Sequence, residues 1–100
     1  MGPVPFRLLH SQHAVEQLAS ALQQATAAGR RVEAVAAVRV IERGLRWLAD
    51  EFGESRQSLR LMGELRCATV LPITVYFAVD SGRKEVQVSR YRFVPRRPRP

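Results

Sequence analysis

The stretch that decides the fold is Ile73-Thr-Val-Tyr-Phe-Ala-Val-Asp-Ser-Gly-Arg-Lys-Glu-Val-Gln-Val-Ser-Arg-Tyr-Arg-Phe93. Ile73, Val75, Phe77 and Val79 alternate with Thr74, Tyr76 and Ala78. A period of two with one apolar face is the pattern of a half-buried strand. Asp80-Ser-Gly-Arg83 is a hairpin turn signal. Val86 and Val88 resume the alternation on the return strand, and then the parity slips, because Tyr91 and Phe93 are the next large apolar residues. A bulge near Ser89-Arg90, or a strand end there, accounts for the slip. Pro95 ends the sheet, since proline has no N–H to give a ladder.

Working back from the hairpin, Leu59, Leu61 and Leu65 alternate with Arg60, Met62, Glu64 and Arg66, interrupted by Gly63 as a bulge or a turn. Before Gly53 the period is helical. A helix over about Arg31–Phe52 carries the stripe Val38, Ile41, Leu45, Leu48 and Phe52, with Val35 and Trp47 beside it. Glu42 and Arg46 are spaced as an exposed ion pair. Gly44 costs that helix about 1 kcal/mol relative to alanine unless a close neighbour needs the space. A first helix, Gln12–Ala28, has Ser11 as N-cap, Val15, Leu18, Leu22 and Ala25 as its stripe, and Gly29 as its C-terminal stop. Pro5–His10 reads as a short strand. The order is therefore β-α-α-β-β-β: an α+β domain in which a two-helix hairpin packs on one face of a mostly antiparallel four-stranded sheet. One domain over 1–94 is expected, followed by a flexible basic Pro/Arg tail over 95–100.

The charge is uneven. From Arg83 to Pro100 there are seven basic residues and one acid, so this segment holds +6 of the formal +7. All basic residues but Lys84 are arginine, whose planar fork suits phosphate or carboxylate. A basic sheet edge of this kind points to a polyanion or an acidic protein partner. Cys67 is the one cysteine, which excludes an intrachain disulfide and a multi-cysteine zinc site and fits a reducing compartment. No apolar run approaches the length of a membrane span, and Met1-Gly-Pro-Val-Pro-Phe6 does not read as a signal peptide. A cytoplasmic protein without membrane contact is the expectation.

If the odd positions of the two apolar strands face the core, Arg60, Met62, Arg66, Thr74 and Tyr76 share the opposite face, with Arg90 and Arg92 as neighbours. Arginines interleaved with a tyrosine suit phosphate contact and base stacking, and equally an acidic peptide. A solvated face that keeps the chain soluble is the plain alternative. Arg60, Arg66, Tyr76, Arg90 and Arg92 are the candidates for catalysis, and Arg96, Arg97 and Arg99 join them as candidates for nucleic-acid or partner binding. Cleavage of RNA by its own 2′-hydroxyl needs groups that move protons as well as arginines that hold charge. Tyr76, Tyr91, Lys84, His10 and His13 are the residues able to do so. His10 and His13 lack a third metal ligand, and no metal or other cofactor is expected.

The same pattern resembles the RelE/ParE superfamily of small bacterial toxins over nearly the whole chain. The resemblance is carried by Phe6-Arg-Leu-Leu-His-Ser-Gln-His-Ala14, by Leu45-Arg-Trp-Leu48 with Phe52-Gly-Glu54, by Leu59–Arg66, and by Pro72–Asp80 with its return Glu85–Ser89. It implies the toxin of a type II toxin–antitoxin system, neutralised by an acidic antitoxin, acting on ribosome-bound mRNA or on replication through DNA gyrase. Ribosome-dependent relatives cleave mRNA with arginines, lysines and often a tyrosine. The arginine they place three residues before the strand tyrosine is Ile73 here, and Arg90 or Arg92 stands for the arginine of the last strand. These departures leave open a second reading, a RelE-fold binding module without the chemistry.

Overall fold

The structure is a computed structural model that describes residues 4–59 and 63–95. Arg60, Leu61, Met62, Arg96, Arg97 and Arg99 lie outside the described residues. The chain runs β1 (Arg7–His10), α1 (Gln12–Ala27), α2 (Arg31–Leu48), β2 (Glu54–Leu59), β3 (Gly63–Val70), β4 (Ile73–Asp80) and β5 (Glu85–Phe93). The expected class holds: two helices lie on one face of a mostly antiparallel sheet. The sheet has five strands in the order β1-β5-β4-β3-β2, one more than the sequence pattern gave. Residues 54–59 pair as a strand of their own with β3, so the run around Gly63 is two strands and not one. Among the described strands, only β1 runs parallel to its neighbour, β5.

Local signals account for the elements. The Ser11 hydroxyl accepts from the Ala14 N–H at 3.0 Å and caps α1. Gly29 takes a φ of 72° that favours glycine and turns the chain into α2. Gly44 has a tertiary reason: a Cβ there would overlap the Phe52 ring, which folds back against the helix beside Phe77. The chain leaves the helical pattern after Leu48, and Phe52 reaches that place from a turn.

Ile73, Val75, Phe77 and Val79 of β4 and Val86, Val88, Tyr91 and Phe93 of β5 form the floor of the core. Ala14, Ala21 and Ala25 of α1 and Ala34, Ala37, Ile41 and Leu45 of α2 form its roof. Alanines at the contact let the helices sit close to the sheet. The α1 stripe is rotated from the sequence reading: Ala14, Ala21 and Ala25 are buried, Leu18 and Leu22 are partly buried, and Val15 is 51% exposed. The α2 stripe holds at Val38, Ile41 and Leu45, which are buried, whereas Leu48 and Trp47 are exposed. The Glu42–Arg46 pair does not form: no carboxylate lies within 4.0 Å of Arg46 among the described residues.

Candidate nucleic-acid or partner interface on the helix-free sheet face

The bulge in β5 builds this face. Tyr76 pairs with Arg90 and Phe77 with Val88, so Ser89 is the extra residue. The Ser89 hydroxyl donates to the Tyr76 carbonyl at 3.1 Å. With Ser89 looped out, Val88 and Tyr91 both face the core, and Arg90 and Arg92 both face away. The expected bulge is thus present and settles which face the arginines occupy. Cross-strand partners share a face, so one row reads Cys67, Tyr76, Arg90 and the next reads Thr69, Thr74, Arg92. The Arg90 guanidinium carbon lies 5.6 Å from the centre of the Tyr76 ring, a cation–π arrangement. The Thr69 and Thr74 hydroxyls are 2.7 Å apart.

Arg66 does not join them. It pairs with Phe77 and points to the core face, while Leu65 pairs with Ala78 and points outward. The parity expected for β3 is therefore inverted. The reason lies in what Arg66 finds inside. Its Nε donates to the Phe52 carbonyl and its Nη2 to the Gly53 carbonyl, both at 2.9 Å, and its Nη1 meets the Glu64 carboxylate. The guanidinium ties the turn after α2 to the sheet and satisfies two carbonyls of that turn.

The residues that might move protons are scattered. His10 pairs with Val88 on the core side, and its Nε2 is 3.1 Å from the Tyr91 hydroxyl. Burial, helped by the Glu42 charge, pushes the Tyr91 phenol up to about 12. Lys84 sits 4.6 Å from the centre of the Phe6 ring, and His13 is exposed on α1. Of the five, Tyr76 alone shares the face with Arg90 and Arg92. No group of three metal-ligating side chains occurs among the described residues.

At the end of this face, where β3 turns into β4, lies a cleft of about 520 Å³. Arg92, Thr69 and Thr74 line it from the sheet, Leu71, Val94 and Pro95 form apolar walls, and Arg30 reaches it from the turn between the helices. Sequence reasoning missed Arg30. Its one signal is the Gly29-Arg30-Arg31 junction, which looks like an ordinary helix boundary. Arg30 is held by two hydrogen bonds to the Glu33 carboxylate, from Nε at 3.2 Å and Nη2 at 3.1 Å.

No family profile matches the chain, and no curated protein matches it in sequence. Solved structures do match. A chain of the chromosomal ParDE toxin–antitoxin system of P. aeruginosa superposes with a TM-score of 0.60 at 21% identity, covering 90% of this chain and 97% of that one. A chain of the RelBE2 toxin–antitoxin complex of Mycobacterium tuberculosis superposes with a TM-score of 0.61 at 17% identity, covering 92% and 94%. The fold is RelE/ParE-like. Within the RelE/ParE-like fold, the face built by Tyr76, Arg90 and Arg92 is the one that neither helix covers. No described helix is long and apolar enough to cross a membrane.

Proposed function

We propose that the protein is the toxin component of a type II toxin–antitoxin pair, and that its helix-free sheet face binds RNA at the translating ribosome. The observation that carries this reading is the pairing of Arg90 over Tyr76 with Arg92 one row away. Neither arginine has a carboxylate within 4.0 Å among the described residues. An arginine stacked on a tyrosine offers a phosphate donor next to a ring on which a base can stack. The likeness to chains from two toxin–antitoxin systems supports the reading at the level of fold. In such a site the substrate 2′-hydroxyl attacks the adjacent phosphorus, the 5′-oxygen leaves, and arginine holds the developing negative charge. Tyr76, which shares the face with these arginines, would pass the 2′-hydroxyl proton toward the leaving 5′-oxygen. Arg96, Arg97 and Arg99 would add phosphate contacts beyond Pro95, and an acidic antitoxin would neutralise the same surface.

Induced expression tests it. Growth arrest that Arg90→Ala with Arg92→Ala relieves, with ribosome-bound mRNA cut, is the expected result. Arrest with intact mRNA and halted replication would transfer the target to gyrase. A second reading, the non-catalytic binding module, is favoured by the inward turn of Arg66 and the distance of both histidines from the face. It predicts mRNA that is bound but intact at saturating protein, with normal growth.

A further inference from the structure

The molecule has a second unpartnered surface on the opposite layer, along the solvent side of α2. Val32, Ala36, Val40 and Trp47 fall within an arc of about 80° at 100° per residue. Val32 is 84%, Val40 51% and Trp47 47% exposed, and Ala36 is exposed between them. Arg43 lies inside this arc, and Arg39 and Arg46 border it. None of the three has a carboxylate within 4.0 Å among the described residues. The acid at the margin, Glu33, is paired with Arg30.

We propose that this face docks an acidic amphipathic helix from a protein partner. The stripe runs about 22 Å along the helix at 1.5 Å per residue, the reach of four turns of a facing helix. Trp47 is a large rigid anchor of the kind that dominates interfaces, and Ala36 leaves a dent between two valines for an incoming leucine. Charge decides the occupant. A second copy would bring three arginines against three arginines, which disfavours self-association. Glutamates flanking an apolar stripe complement the surface and steer the encounter. The inference goes beyond the proposed toxin reading, since it concerns the other layer and requires no RNA contact. An acidic antitoxin is one protein able to supply the helix.

Trp47 is the sole tryptophan of the chain, so its emission reports directly on this face. The probe is a synthetic peptide of about eighteen residues, with leucine every three or four positions and glutamate beside them. Titration into the full-length protein should give a saturable blue shift. The shift should be absent with a scrambled peptide of the same composition and with a version carrying lysine for glutamate. Val40→Glu should weaken binding at least tenfold while leaving the thermal transition in place, and Arg43→Glu should weaken it without touching an apolar side chain. Equal binding of the scrambled peptide, or undiminished binding to both variants, would overturn the proposal. So would a dimer in sedimentation that Val40→Glu dissolves, because the occupant would then be a second copy.

Discussion

Arg66 and Arg90 are both arginines of central strands, yet they do opposite things. Arg66 is 9% exposed and spends its donors on two backbone carbonyls and Glu64. Replacing it with alanine leaves those carbonyls unpaired and should cost about 2–4 kcal/mol in urea unfolding, with lysine a poor substitute because it lacks the fork. A variant as stable as the parent would show that the guanidinium does not hold the turn. Gly44 makes a related point. Its alanine variant gains helix propensity but drives a Cβ into the Phe52 ring, so it should be destabilised by roughly 1–3 kcal/mol. Combining it with Phe52→Leu should recover part of the loss, and strictly additive effects would refute the clash. Tyr91 supplies a pH test. Its phenol titrates at about 12 in the fold, against about 10 in the unfolded chain. Between those values the unfolded state has lost the proton that the folded state keeps, so stability falls as pH rises from about 10 to about 12, by up to ~1.4 kcal/mol per unit. Below pH 10 the group contributes no slope. The Tyr91→Phe variant should lack this part of the alkaline loss, measured as a difference in unfolding free energy across that window.

At the scale of elements, β5 carries the sharpest prediction. Removing Ser89 leaves Val86, Val88, Tyr91 and Phe93 alternating without a break with Gln87, Arg90 and Arg92. The deletion should therefore keep every side chain on its present face and cost only about 1–2 kcal/mol, from the lost Ser89–Tyr76 hydrogen bond and local twist. Deleting Gln87 instead reverses Glu85 and Val86 and should prevent folding. Circular dichroism and urea titration of the two deletions would separate them, and equal damage would place the bulge elsewhere. The hairpin of β4 and β5 was legible in the sequence because its apolar and polar positions contrast strongly on both strands. Strand β3 was not, because Leu65 and Arg66 are an ambiguous pair. Hydropathy alone puts the leucine inside, and only the carbonyls of Phe52 and Gly53, supplied by a distant turn, make the arginine the inner residue. Trp47 was misplaced for a different reason. The stripe Val38, Ile41 and Leu45 is buried as read, but at about 100° per residue Trp47 falls on the other side of α2, and only its size suggested the core. Arg30 was invisible because a helical turn and a sheet end are brought together only by tertiary structure.

For the whole molecule, the two layers present separate surfaces: arginines and a tyrosine on the bare side of the sheet, and a tryptophan among arginines on the far side of α2. Their energetics should differ. Binding of single-stranded RNA to the sheet face should weaken steeply with salt, and removing Arg90 or Arg92 should lower the slope of log K against log[salt] by about 0.7 each. Trp47→Ala should leave that slope unchanged. If it does not, the two surfaces are not independent. The pairing of β1 with β5 has a consequence of another kind. The first strand of the domain lies beside the last, and α1 packs chiefly on β5. During synthesis, β1 lacks its strand partner and α1 lacks its main packing surface until β5 leaves the ribosome. Such a chain has no stable first half. Any fragment ending before Glu85 should be open to proteases and without effect on the cell, so whatever this protein does begins only when the last strand is made.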